Sequence, residues 1–291
     1  MYIAALAALA VALAWPVPRL MAGFTAFRRA PRSALVVWQA TAVAAVLAAL
    51  FTAPAAVMLI VSEGGGAFDH LGLIGLAGAI SGLVLARLLL CGHKVGSNLR
   101  AVRRKHRDLV DVLAVHGDSH VRVLEHPTPT AYCLPGTRRR VVLTQGTIDT
   151  LPGRELDAVL AHERAHLSAR HDLVLEFFTV VHEAVPAFIR SERALQEVQL
   201  LIEVLADRSA VREVGALPTA RAIVLMAGGP KPAGSMAIRE APSAARVRIG
   251  LLHGRRIAGL DVSVASGLMY VFAASLVAAP VALLALAFQS A

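Results

Sequence analysis

Ala161-His162-Glu163-Arg164-Ala165-His166 sits inside a run that reads as one helix from Pro152 to about Ala169. Glu155 and Asp157 suit the first turns of that helix, where the backbone dipole is positive. Residues four apart on an α-helix differ by about 40° around its axis, so His162 and His166 project from one face, a turn apart. Two imidazoles so placed can hold one zinc ion, and Glu163 stands beside it to take a proton from a water that the metal activates. Chance gives about 0.02 such five-residue matches in a chain of this His and Glu content, so two ordinary histidines on a half-buried helix face are a weak rival reading.

A catalytic zinc usually has three protein ligands and keeps a fourth position open. Asp172 has the offset from His162 used by metalloproteases that turn at a glycine after the second His, but Ala169 stands at that glycine position. A helix continuing through Ala169 points Asp172 about 240° away from His166. Glu203 is the better third ligand. It lies on a second long helix, Ser191 to Val214, with Asp207 four residues on and on the same face. The flanks Leu200, Leu201, Ile202, Val204 and Leu205 are apolar nearly all round, so two carboxylates there are costly to bury without a cation. One of the pair binds zinc, and Asp207 takes a hydrogen bond from a ligand histidine.

Upstream, Asn98 to Val115 has the spacing of an amphipathic helix. Val121 to Glu125, Ala131 to Leu134 and Arg140 to Thr144 read as strands bounded by turn residues. Arg140 to Thr144 could be an edge to which an extended substrate adds, or an interior strand. Leu173 to Ile189 reads as a buried or membrane-skimming helix broken near Pro186, and Gly228 to Gly234 as a loop. Tyr132, His171 and Arg212 are open alternatives for stabilising an oxyanion. His182 and His253 read as structural or exposed, and Cys133 as a buried thiol.

The chain of 291 residues is 56% hydrophobic and only 17% charged, with a mean hydropathy of +0.62. That excludes a disordered chain and a disulfide-stapled secreted domain. Four stretches approach or exceed the ~20 helical residues that cross a hydrocarbon layer: Met1 to Val17, Ala34 to Val61, Leu71 to Cys91 and Val264 to Phe288. No basic residue precedes the first apolar run, which favours a retained span over a cleaved signal. Arg19, Arg28, Arg29 and Arg32 follow the first span, and Lys94, Arg100, Arg103, Arg104, Lys105 and Arg107 follow the third, whereas the loop after the second carries only Glu63 and Asp69. Basic residues stay on the cytoplasmic side, so both termini are expected outside and the long segment inside. Arg87 reads as an anchor that snorkels to the headgroups. The net charge of +9 comes from a set in which only Lys94, Lys105 and Lys231 are lysines, a skew of codon bias rather than a nucleic-acid surface.

The expected architecture is an α-helical integral membrane protein with four transmembrane helices and a cytoplasmic α+β zincin-like (gluzincin) metalloprotease domain. Residues 1–91 carry three spans (about 1–17, 34–61 and 71–91), 92–263 the protease domain, and 264–291 the fourth span with a short outer tail. The lipid bilayer and a protein or peptide substrate are the expected partners, with no direct nucleic acid and a homodimer left open.

His162-Glu163-x-x-His166 followed by Arg170 and Asp172, Glu203 to Asp207, and three spans before and one after the catalytic segment together resemble the BlaR/MecR-type membrane zinc metallopeptidases, and more distantly the HtpX-like proteases. The resemblance implies His162, His166 and Glu203 as zinc ligands and Glu163 as general base. It also implies a bacterial plasma-membrane signalling protease that cuts a small winged-helix repressor of the BlaI type. Val185-Pro186-Ala187-Phe188 replaces the family's Trp-containing Asn-Pro stretch. The sequence stops at Ala291 without the extracellular penicillin-binding domain of the antibiotic sensors, so a β-lactam signal is not expected. Two other functions remain: HtpX-like quality control of membrane proteins, favoured if Leu173 to Ile189 crosses the bilayer, and a non-catalytic transducer stabilised by zinc, which predicts that Glu163→Gln leaves the phenotype intact.

Overall fold

The chain folds as two units in the computed structural model, which describes residues 1–63, 71–116, 120–136, 138–227, 242–252, 256–257 and 259–289. In chain order the elements are α1 (Tyr2–Ala14), α2 (Pro16–Met21), a 3-10 turn (Thr25–Arg29), α3 (Pro31–Glu63), α4 (Leu71–Leu113), β1 (Ala114–His116), β2 (Val121–Leu124), β3 (Ala131–Leu134) and β4 (Arg140–Thr144). There follow α5 (Gln145–Thr150), α6 (Gly153–Ser168), α7 (His171–Ala184), α8 (Glu192–Val214), α9 (Ala216–Met226), α10 (Pro242–Leu251), β5 (Arg256–Ile257), β6 (Leu260–Asp261) and α11 (Val262–Gln289). His253 and the expected loop at 228–234 lie outside the described residues.

The first unit comprises Met1–His93, Phe178–Val198 and Arg256–Ala291. Among the described residues, four helical stretches are long and apolar enough to cross a membrane: Tyr2–Met21, Pro31–Met58, Leu71–Leu113 and Val262–Gln289. Helix α3 packs against α1 and α11 through a core of Leu6, Ala48, Ala55 and Ala287, where alanine lets the backbones approach closely. Pro54 inside α3 has no N–H to give the carbonyl four residues back, and Ser81 of α4 fills the gap by donating to Leu50 O at 3.2 Å and Ala49 O at 3.0 Å. Arg87 is bonded within the protein. Its Nε donates to Ala184 O at 2.8 Å, and Arg190 donates to Val185 O and Glu183 O, each at 2.8 Å, so the two guanidiniums satisfy carbonyls at the end of α7. The break near Pro186 stands as expected, but α7 starts at His171 and has 14 residues. Arg28, in the basic loop after the first span, donates to both carboxylate oxygens of Glu197 at 2.8 and 2.7 Å, and that hydrogen-bonded pairing holds its pKa above the usual arginine value.

Two sequence expectations change along α4. The third apolar stretch and the amphipathic segment from Asn98 are one helix of 43 residues, because nothing stronger than Gly92 and Gly96 interrupts them. The helix stops at Leu113, and Ala114–His116 pairs antiparallel with β2 instead of finishing the helix.

The second unit comprises Lys94–Phe177 and Gln199–Arg255. Its sheet has the order β1-β2-β4-β3, with β2 and β4 parallel and the other pairs antiparallel. Arg140 to Thr144 is therefore an interior strand and the edge reading fails, as the unbroken apolar run Val141-Val142-Leu143 befits a parallel strand covered on both faces. On one face Ala131, Val141 and Leu143 pack with Leu151, Ala158, Val159 and Ala222. On the other, Tyr132, Leu134 and Val142 pack with Val110 of α4. Thr144 caps α5 by accepting from Thr147 N, and the backbone at Gly146 passes so near Pro127 O that a Cβ would lie 1.9 Å from it. Edge strand β3 thereby lies against α6, the helix that bears both histidines.

Candidate metal centre

Helix α6 runs from Gly153 to Ser168, and the chain then turns at Arg170, whose φ of +50° is left-handed although the residue is not glycine. The turn that Ala169 was expected to prevent does occur. It starts α7 at His171 and sends Asp172 to Arg103, at 3.5 Å, rather than into the histidine cluster. Helix α8 supplies Glu203 and Asp207 from a face that is almost fully buried.

His162, His166 and Glu203 each offer a ligand atom, all within 4.8 Å of one another. The two histidine Nε2 atoms are 3.1 Å apart, with Glu203 Oε2 3.4 Å from that of His162 and Oε1 3.6 Å from that of His166. A tetrahedral ion with bonds of about 2.0–2.2 Å sets neighbouring donors about 3.3–3.5 Å apart, so the spacing suits a zinc ion. Glu203 Oε2 is buried without a hydrogen-bond partner, although Arg248 Nη1 forms an ion pair with it at 3.2 Å. A buried carboxylate oxygen of that kind wants a cation.

The outward nitrogens are held as well. His162 Nδ1 is 2.9 Å from Asp207 Oδ1, and His166 Nδ1 is 3.1 Å from His171 Nδ1. Each Nε2 is thereby aimed at Glu203, and a histidine that gives Nε2 to a metal keeps its proton on Nδ1 for those partners. Asp207 also accepts from Arg248 Nε at 2.7 Å and from its Nη2. Burial works against charge throughout, but partners outweigh it. Burial lowers the His162 pKa, yet the neighbouring carboxylates of Asp207 and Glu203 lift it to about 9. Burial raises the carboxylates, yet Arg248 and the histidines hold Glu203 well below its ordinary value and Asp207 below its own. His171 is pushed down to about 3 by burial and by its neighbour His166, so it stays neutral.

Glu163 is buried on the same helix, and Cys133 of β3 stands beside it. Burial first, then the Glu163 carboxylate, push the Cys133 thiol well up, so it remains an un-ionised neighbour of the acid. The three oxyanion alternatives separate. Tyr132 points to the other face of β3, where its hydroxyl is 2.8 Å from His106 Nε2 and burial pushes its pKa up to about 12. His171 backs His166, and Arg212 is exposed beyond Asp207 on α8. His182 is 3.0 Å from Glu192 Oε1, in the first unit. Arg248 was not expected from the sequence. The one signal for it was the need of two buried acids for compensating charge, a need that the sequence reading assigns to zinc alone.

Two histidines one turn apart, an acid between them and a glutamate from a second helix form the kit of a zinc-dependent peptidase. Residues 97–226 match the profile of Peptidase family M48. The plastoglobule-localized metallopeptidase 48 of Arabidopsis thaliana, a chloroplastic protein, is 36% identical over 104 residues, which cover 32% of this chain and 30% of the relative. The aligned stretch thus spans under a third of that relative's length. No solved structure matches. The match to the M48 profile at 97–226 and the metallopeptidase relative support a zinc metalloprotease. The likeness to BlaR/MecR-type proteins is finer than these matches reach.

Proposed function

We propose that the chain is a membrane-embedded zinc endopeptidase whose catalytic segment, residues 92–263, faces the cytoplasm, with both termini outside a bacterial plasma membrane. The observation that carries this is the convergence of His162 Nε2, His166 Nε2 and the buried Glu203 carboxylate, each backed by a partner of its own. These three residues would hold the metal, which when bound polarises the scissile carbonyl and lowers the pKa of water at the site. Glu163 takes a proton from the attacking water and returns it to the leaving amine. Strand β3 pairs only with β4 among the described residues, which leaves its other edge for an extended substrate lying beside α6.

Within this class we favour a signalling protease that cuts a small winged-helix repressor. The specific support is that α7, at 14 residues and carrying Asp172, Glu176 and Glu183, is too short and too charged for the extra span of the quality-control arrangement. The test incubates purified wild type and Glu163→Gln, each assayed for zinc, with the winged-helix repressor encoded nearest the gene and with a misfolded membrane protein. Cleavage of the repressor by wild type alone is expected. Cleavage by both proteins alike overturns Glu163 as general base, and cleavage of the membrane protein alone favours quality control.

A further inference from the structure

Beyond the apolar stretch that ends at Cys91, α4 carries basic residues on two faces with different surroundings. Those facing inward bond to the second unit itself. Arg103 pairs with Asp172 at 3.5 Å and with Glu176 at 3.8 Å, His106 Nε2 is 2.8 Å from the Tyr132 hydroxyl, and Arg107 donates to Pro135 O at 2.8 Å. On the other face an open groove runs along Arg100, Arg104, Lys105, Asp108, Leu109 and Val112. We propose that this outer face docks an amphipathic helix of a partner protein, acidic beside Arg100 to Lys105 and apolar beside Leu109 to Val112. Such docking goes beyond the peptidase reading and does not depend on the metal.

Charge selects an acid-bearing occupant. Arg100, Arg104 and Lys105 are exposed and have no hydrogen bond or ion pair among the described residues, and Asp108 is the single acid among the residues of the groove. Glu176 of α7, which approaches Arg100 across Gly96, is engaged by Arg103. The face therefore repels a second copy of itself and attracts carboxylates. Its apolar end speaks against nucleic acid. Leu109, Val112 and Leu113 are 52%, 83% and 61% exposed, and a phosphate backbone would leave that cluster in water. Distance speaks against lipid. Arg104 lies about 20 Å along the helix from Cys91, whereas the headgroup layer is only about 5–8 Å deep. A role in fixing membrane orientation needs cations next to the span and accounts for none of the exposed leucine and valine. From Arg100 to Val112 the face is about 18 Å long, the length of about three turns of a partner helix.

The test titrates fluorescent helical peptides of about 14 residues into the full chain in neutral detergent and reads their anisotropy. One peptide carries Glu on one half of a helix face and Leu on the other half. In its two counterparts Lys replaces Glu, or Ser replaces Leu. The Glu–Leu peptide is expected to bind at least about tenfold more tightly than either counterpart, and less tightly as salt rises. Arg104→Glu combined with Lys105→Glu, at exposed positions, is expected to weaken the Glu–Leu peptide about tenfold and to strengthen the Lys–Leu one. Val112→Ser is expected to weaken the Glu–Leu peptide severalfold. Arg212→Glu, an exposed charge reversal on α8, should change neither peptide by more than about twofold. Equal binding of the three peptides, or binding unmoved by the α4 variants, overturns the assignment. It is overturned equally by duplex DNA or phosphatidylglycerol micelles that bind this face more tightly than the Glu–Leu peptide, or by a dimer in sedimentation that Arg104→Glu dissolves. Each of these outcomes leaves the zinc content and the peptidase reading untouched.

Discussion

Glu203 and Asp207 are two buried acids one helical turn apart, and the charges around them are arranged to keep both ionised. Arg248 reaches both, and His162 lies between them. Three outcomes follow at this scale. Glu163→Gln is expected to keep its zinc while losing about 10²–10⁴ in kcat, read by metal analysis beside a peptidase assay. Asp207→Ala removes the group that orients His162 and takes from Arg248 its bonded carboxylate, so zinc affinity is expected to fall about 10–100-fold and stability by about 3 kcal/mol, measured by chelator competition and denaturant unfolding. The third concerns pH. In the metal-free chain the His162 pKa, about 9, lies above the ordinary 6.5, so its bonded imidazolium stabilises the fold fully below pH 6.5 and that contribution is lost as pH rises through about 9. Metal-free protein is therefore expected to lose on the order of 3 kcal/mol between pH 6.5 and 9.5. Zinc-loaded protein, in which the imidazole is already neutral, should not show this loss. Thermal unfolding with and without chelator across that range checks it.

Among the elements, the joint between α6 and α7 shows what local reading can and cannot give. The pairing of the two histidines was legible because both side chains stand on one helix at a spacing set by backbone geometry, and Glu203 with Asp207 because acids stood out in an apolar helix. The turn at Arg170 was not, since the glycine that would signal it is replaced by Ala169 and the left-handed conformation falls one residue later, on an arginine. Arg170→Gly is expected to be neutral or stabilising by up to about 1 kcal/mol, and Arg170→Val to destabilise by about 1–2 kcal/mol, as denaturant midpoints would report. Strand order was hidden for a different reason. A short strand with a three-residue apolar run pairs equally well at an edge or inside a sheet until its neighbours are known, and β1, which confines β2 to the interior, comes from residues whose pattern reads as the end of a helix. Arg248 stayed invisible because its partners are 41 and 45 positions away in a chain rich in arginine.

For the whole molecule, the apolar share of the sequence and its four long stretches made the long apolar helices legible, while their ends moved by several residues because α2 extends the first and α4 runs unbroken past the third. Such a chain is expected to stay with membranes through alkaline carbonate and to dissolve only in detergent, as fractionation and immunoblotting would show. Protein–lipid chemistry does not depend on the metal, so that result stands apart from the site. The centre itself is tested most directly by zinc per chain, determined by elemental mass spectrometry on the purified full-length protein and on Glu163→Gln and Glu203→Ala. The expected result is one zinc per chain in wild type and Glu163→Gln and a large loss in Glu203→Ala. A wild type without zinc after reconstitution, or a Glu203→Ala protein that holds it as tightly as wild type, would contradict a metal shared by α6 and α8.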